Sequence, residues 1–276
     1  MAQIGLGMKK QKRAIISLSF DDGRVDTYTV AKEVLVKYNV PATINIATGY
    51  IEGETNVGTD IVSMTKENVI ELDSVGLFEI AAHGDMHKND FDDIAKGREK
   101  LLSWLGREGK IGFASPSSVM TVAYINENQE KLKKIGFSYA RTSSTHQKKR
   151  FVKIKKILRK VARVTGSRIL YRMAYSDLST VDGFAVTSVP IFKFNTFGQI
   201  KSIIRLAIRR RAQLTLMFHS VCKTGDVGSE NIYSYNWDEF VKLVKYISTL
   251  NNNGKIRILT TQQLVNSGVE NDQNRR

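Results

Sequence analysis

Five side chains in this 276-residue chain have the types and spacing of a metal-assisted hydrolytic centre. Asp21 and Asp22 are adjacent carboxylates in Ser19-Phe20-Asp21-Asp22-Gly23, and two such groups repel each other unless positive charge lies between or beside them. His83 and His87 stand at i and i+4 in His83-Gly84-Asp85-Met86-His87, a spacing that on a helical turn lets both rings grip one ion. His219 ends the run Leu214-Thr215-Leu216-Met217-Phe218-His219. Singly, each motif has an ordinary structural use: Asp-Gly is common turn chemistry, and a lone strand-end histidine is more often packed than catalytic. Together they carry more weight, because the chain has only four histidines and three of them fall at expected strand ends. Two histidines and one carboxylate bind a divalent metal while leaving positions open for water and substrate. One carboxylate and one histidine are then left over as the base and acid that metal-assisted hydrolysis needs. The fourth histidine, His146, sits in a basic stretch and reads as a solvated surface residue.

The elements that must position these groups alternate between strand and helix. Buried, β-rich runs at Ala14 to Phe20, Ala42 to Ala47, Leu77 to Ala82, Lys110 to Ala114, Phe137 to Arg141, Leu214 to His219 and Lys255 to Leu259 predict strands, with Phe184 to Phe194 extended. Helical patterns fall between them at Thr27 to Tyr38, Met64 to Ser74, Phe91 to Leu105, Ile125 to Lys134, Phe197 to Arg211 and Trp237 to Leu250. Parallel neighbours need crossovers, so the alternation predicts an α/β fold, a deformed, seven-stranded, TIM-like (β/α) barrel in a single domain. Functional side chains of such a barrel gather at the C-terminal ends of its strands, where all three motifs lie. The expected organisation is a basic N-terminal tail over 1–13, a barrel over 14–266 and a disordered polar tail over 267–276.

Charge narrows the partners. The net charge is +15, and Lys131 to Ser176 contains no acidic residue. Eleven lysines and arginines crowd into 148–172, interleaved with Phe151, Ile154, Ile157, Leu158, Val161 and Val164 at helical spacing. This stretch reads as a basic amphipathic insertion: a solvated face, a contact for an anionic membrane or lipid phosphate, or a surface for an acidic polymer. No zinc-finger, RRM or helix-turn-helix pattern supports specific nucleic-acid reading. One cysteine, Cys222, excludes an intramolecular disulfide and a multi-cysteine zinc site within one chain, and reads as a small buried hydrophobe. No run approaches a membrane span, and Met1 to Arg13 lacks the apolar core of a signal peptide, so the expected location is cytoplasmic, peripheral on the membrane at most.

The three motifs, in this order, resemble those of the polysaccharide deacetylases, the carbohydrate esterase family 4 or NodB-homology group. Val40-Pro41-Ala42-Thr43-Ile44 resembles that family's second strand, and Leu72 to Ala82 its approach to the histidine motif; the likeness runs from about Ala14 to Val265. The resemblance implies removal of acetyl groups from N-acetylated sugars of a polysaccharide, oligosaccharide or lipid-linked glycan. It implies Asp22, His83 and His87 as holders of one divalent metal, zinc first and cobalt, nickel or manganese after it. It also implies Asp21 as general base and His219 as the acid that protonates the leaving amine.

Two departures stand out. The third motif reads Phe113-Ala114-Ser115-Pro116-Ser117-Ser118, with Ala114 where the family has an arginine to orient the base, and Ser117 where it has a tyrosine. Pro116 and Ser117 remain candidates for substrate and oxyanion contacts, since a backbone N–H can serve there, but the aromatic groove wall is expected to be missing. The fourth motif, an Asp with a Trp that tunes the catalytic histidine, has only Asp177 and Asp182 as candidates by position. Two other functions fit the same residues: hydrolysis of another C–N bond, such as a formamide or cyclic amide, or a catalytically silent glycan- or membrane-binding module.

Overall fold

The computed structural model describes residues 13–56, 58, 61–146, 152–178 and 181–273, apart from the side chains of His146 and of 268–273. The expected basic tail over 1–13 therefore lies outside the described residues except for Arg13. In chain order the strands are β1 (Ala14–Phe20), β2 (Ala42–Ile46), β3 (Phe78–Ala82), β4 (Ile111–Ala114), β5 (Phe137–Ser143), β6 (Val181–Asp182), β7 (Ala185–Pro190), β8 (Gln213–Phe218), β9 (Ser220–Cys222), β10 (Ser234–Asn236) and β11 (Ile256–Ile258). The helices are α1 (Val25–Val30), α2 (Thr48–Ile51), α3 (Lys66–Ser74), α4 (Phe91–Leu105), α5 (Val122–Glu127), α6 (Gln129–Ile135), α7 (Val152–Thr165), α8 (Arg168–Ala174), α9 (Phe197–Arg210), α10 (Trp237–Asn252) and α11 (Thr261–Gln273).

Seven parallel strands close a barrel in the order β1-β2-β3-β4-β5-β7-β8, with β8 returning to β1. The ring is deformed where β2 meets β1 only at Ser19 and Phe20, while β11 pairs the other half of β1, from Ala14 to Ile16. The expected strand at Lys255 to Leu259 is thus a wedge in the opening between β1 and β2 rather than a stave of its own.

Alternation along the strands separates two environments. Ile16, Leu18 and Phe20, then Ile44 and Ile46, then Leu214, Leu216 and Phe218 belong to the apolar core beneath the helices. The alternate positions turn inward and are largely polar. Tyr139 on β5 donates across the barrel to Glu79 on β3 (2.6 Å), and Asn45 on β2 donates to Ser19 Oγ on β1 (2.9 Å). Thr43 Oγ1 donates to Glu79 (2.9 Å), and both also accept backbone N–H bonds from Thr261 and Gln262, the first turn of α11. The N-terminal end of the barrel is therefore plugged by the start of α11, and the opposite end is free to carry a site.

The structure corrects several expected boundaries. The helix predicted over Thr27 to Tyr38 is α1 followed by a π-helical turn from Ala31 to Leu35. The one predicted over Ile125 to Lys134 breaks at Asn128, whose backbone leaves helical geometry, into α5 and α6. The described part of the basic stretch, 152–172, forms α7 and most of α8. These two helices lie in the crossover from β5 to its parallel neighbour β7. α11 runs on to Gln273, so most of the polar tail expected to be disordered over 267–276 is helical.

Candidate active site

At the C-terminal ends of the strands lies a cleft of about 310 Å³ whose lining includes Asp21, Asp22, His83, His87, Ser117 and His219. Five of the sequence-predicted residues thus meet Ser117 in one cavity, delivered by β1, β3, β8 and the turn after β4. Pro116 is buried behind the cleft, its carbonyl accepting from Asn89 Nδ2 (2.9 Å), and does not line it. Asp177 is exposed and paired with Lys155, and Asp182 sits in the short edge strand β6, so neither takes the role of the fourth motif. Of the four histidines, His146 has its side chain outside the described residues.

The metal donors converge. Asp22 Oδ1 lies 3.4 Å from His83 Nε2 and 3.5 Å from His87 Nε2, and the two Nε2 atoms are 3.2 Å apart. His83 Nδ1 is 2.8 Å from the carbonyl oxygen of Ala114. A carbonyl only accepts, so Nδ1 carries the hydrogen and Nε2 presents its lone pair to the cluster, the tautomer a metal requires. The other carboxylate oxygen of Asp22, Oδ2, accepts from Arg24 Nε and Nη2 (2.9 and 2.7 Å), and Arg24 Nη1 donates to Ser220 Oγ (2.8 Å). Burial alone would raise the Asp22 pKa, but the hydrogen bond to His83 and the charges of His219 and Arg24 hold it well below the usual carboxylate range. Burial, helped by the charge of His83, lowers His87 to about 4, so its ring is neutral at ordinary pH. This donor set fits a divalent ion of the zinc type: one carboxylate oxygen and two imidazole nitrogens, with Asp22 held by Arg24 and His83 by the Ala114 carbonyl.

The loop that carries the two histidines is held from below. The carboxylate of Asp93, in the first turn of α4, accepts from the backbone N–H groups of Asp85, Met86 and Lys88 (3.1, 2.8 and 3.0 Å). Gly97, one turn on, packs so closely that a Cβ there would sit 2.4 Å from the carbonyl carbon of Gly84. Backbone strain collects at the same end of the barrel. Of the six non-glycine residues with left-handed φ among those described, four are Asp22, His87, Ser117 and Ser118. Such conformations cost about 1–3 kcal/mol each and persist where the surroundings impose them.

Asp21 takes no part in the donor cluster. Arg141 Nη2 on β5 meets both of its oxygens at 2.6 and 2.7 Å, and Asn45 Nδ2 donates to Oδ1 at 2.9 Å. Burial would raise the Asp21 pKa; the Arg141 guanidinium, with smaller help from His83 and His219, lowers it instead. The arginine missing from position 114 therefore has a counterpart that reaches Asp21 from across the barrel. The only sequence signal for it was a charged residue inside the otherwise strand-like run Phe137 to Ser143.

His219 closes the cleft from β8. Burial lowers its pKa, and its Nδ1 is buried with no hydrogen-bond partner among the described residues. Its ring lies 4.9 Å from that of Tyr233. Tyr50 of α2, Phe192 and Tyr233 all line the cleft, so the aromatic wall expected to be missing with the motif-three tyrosine is supplied by other segments. Cys222 is buried, as expected, with its thiol pushed up to about 12 by burial and by Asp26.

The family model described as polysaccharide deacetylase matches residues 8–180. Over 133 residues the chain is 31% identical to the poly-beta-1,6-N-acetyl-D-glucosamine N-deacetylase of Staphylococcus aureus strain MRSA252, a match covering 44% of this chain and 45% of the relative. The chain thus spans under half the length of that curated relative. Among solved structures, IcaB from Ammonifex degensii aligns with 46% of this chain and 58% of its own at 24% identity and a TM-score of 0.38. The Xyl-CE4 domain of a multidomain xylanase from the hindgut metagenome of Trinervitermes trinervoides aligns with 93% of this chain and 91% of its own, at 14% identity and a TM-score of 0.44.

Proposed function

The chain belongs to the polysaccharide deacetylase family, and on that premise we propose that it is a metal-dependent hydrolase removing the N-acetyl group from an N-acetylated sugar of a glycan. The observation that carries the reading is the convergence of Asp22 Oδ1, His83 Nε2 and His87 Nε2 in the same cleft as an independently anchored carboxylate and a histidine. A divalent ion held by Asp22, His83 and His87 would polarise the acetamide carbonyl and make water acidic enough to attack it.

The chain's own residues supply the rest. Asp21, kept ionised by Arg141 and turned by Asn45, takes the proton of the attacking water. His219 gives a proton to the sugar nitrogen as it leaves. Ser117, exposed at the mouth with left-handed φ, offers a backbone N–H toward the developing oxyanion, a role that needs no particular side chain. Tyr50, Phe192 and Tyr233 give flat faces on which sugar rings can rest. The substrate of the staphylococcal relative makes β-1,6-linked N-acetylglucosamine the first glycan to try.

The test is acetate release from β-1,6- and β-1,4-linked N-acetylglucosamine oligomers by protein stripped with chelator and then reloaded with zinc, cobalt, nickel or manganese. Release should require the metal and fall at least about 100-fold in Asp21→Asn. Release that survives both chelation and Asp21→Asn would overturn the reading. Metal uptake without release from any glycan would point to another C–N bond, and no uptake at all to a silent binding module.

A further inference from the structure

We propose that the face formed by α7 and α8, continued by α9, seats the protein on an anionic lipid bilayer, with α7 standing between the membrane and the catalytic cleft. Three observations carry this.

The first is charge. α8 packs against both α7 and α9, and the three helices together hold twelve lysines and arginines and no aspartate or glutamate. A solvated helix face ordinarily mixes both signs, because i to i+4 pairs of opposite charge stabilise it. A surface of one sign stays self-repelling until an anionic partner neutralises it.

The second is an apolar stripe beside those cations. Ile154, Ile157, Val161 and Val164 fall within about 80° of one another on the α7 wheel at 100° per residue. Ile169 and Met173 stand one turn apart on α8. These six side chains are 40% to 81% exposed. Lys153, Lys156 and Lys160 border the stripe on one side, and the buried face around Leu158 and Ala162 borders it on the other. A soluble polyanion would be satisfied by the charges and would leave the isoleucines and valines in water. A bilayer takes both, its headgroups meeting the lysines and its acyl boundary the stripe.

The third is position. The inner edge of α7 touches the rim of the catalytic cleft: Val152, Lys155 and Arg159 line a small cavity together with Thr145, and Thr145 also lines the cleft. Farther along, the Arg163 guanidinium lies 3.9 Å from the centroid of the Phe194 ring, which stacks on Phe192 of the cleft wall (5.5 Å). These residues stand on the α7 wheel opposite the stripe, so a bilayer on the stripe would lie one helix diameter, ~10 Å, from the cleft rim, with α7 between them. None of the described helices is long and apolar enough to cross a membrane, so the contact is one of lying on the surface.

The experiment is flotation of the full chain with vesicles of phosphatidylcholine alone or with roughly a third phosphatidylglycerol. Two variants are compared, Lys156→Glu/Lys160→Glu and Ile157→Ser/Val164→Ser, with circular dichroism and acetate release from a soluble oligomer as controls on the fold. Wild type should float with the anionic vesicles only, less at high salt. Each variant should lose at least about tenfold in partition while keeping its fold, the charge pair because each cation near the surface is worth roughly fivefold. Equal partition by wild type and both variants would overturn the proposal. So would a loss confined to the lysine variant, with the serine variant unchanged, since that describes a polyelectrolyte patch with no insertion. A concentration-dependent dimer in sedimentation that the serine variant abolishes would assign the stripe to a second copy of this chain instead.

Discussion

The guanidinium of Arg141 and the carboxylate of Asp21 form a fully buried ion pair across the barrel, with one nitrogen, Nη2, reaching both oxygens. Arg141 Nη1 continues to Ser188 Oγ at 3.1 Å, so Asp21 is tied to β5 and β7 at once. Breaking one side of a buried pair strands the other charge. Arg141→Met is expected to lower the unfolding free energy by about 3 kcal/mol and acetate release by at least about 100-fold. Adding Asp21→Asn should restore much of the stability and none of the activity. Urea unfolding of the two singles and the double closes the cycle, and additive losses would show that the pair is not coupled.

Arg24 uses all three guanidinium nitrogens on Asp22 and Ser220, leaving only Oδ1 of Asp22 facing the histidines. Arg24→Gln should therefore weaken zinc binding by about tenfold or more, because a freed carboxylate must be oriented at the expense of binding. Calorimetric titration of the stripped protein measures this directly, and an unchanged affinity would refute the positioning role.

Asp93 gathers three backbone N–H groups of the histidine loop, although its nearest metal donor is six residues away in sequence. Asp93→Ala leaves those donors without their charged acceptor and should cost about 3 kcal/mol in stability. The same variant should bind zinc at least about tenfold more weakly. Thermal melts with and without saturating zinc would show the loss, with the metal recovering part of it by mass action.

Burial raises the Glu79 pKa above its ordinary 4.5, although Tyr139, Gln262 and Thr43 hydrogen-bond to it. The folded protein thus holds this proton more tightly than the unfolded chain does, so the group's contribution to stability is full at acid pH and declines as pH rises past 4.5 toward the folded value. Glu79→Gln has no such decline. The wild-type unfolding free energy minus that of the variant should fall as pH rises through this window, measured by urea melts at fixed ionic strength. A difference independent of pH would contradict it.

The barrel and the five side chains gathered in its cleft were legible because each stands where periodicity changes, at the end of a buried run, in a chain with few histidines. Arg141 was not, because a single cation in Phe137 to Ser143 looks like one of many beside an acid-free stretch, and only barrel closure brings it to Asp21. Tyr50 comes from α2 and Phe192 and Tyr233 from two separate loops, so no local spacing marks them as one wall. Asp93 reads as an ordinary first-turn acid of α4, and its real service to the loop before it depends on Gly97 letting that loop approach. The basic stretch supplies helices to the crossover between the parallel neighbours β5 and β7, a role its charge pattern does not announce.

The ring closes between its first and last staves: β8 pairs β1 along Ile15 to Phe20, and Arg24 reaches Ser220 across 196 residues of sequence. Contacts that distant must overcome the entropy of a long loop before they return any energy, and they form late. In refolding, helix content and compaction should therefore recover ahead of zinc uptake and acetate release, which wait for the final seam. Turnover of the proposed substrate would then serve as a clock for the last step of folding.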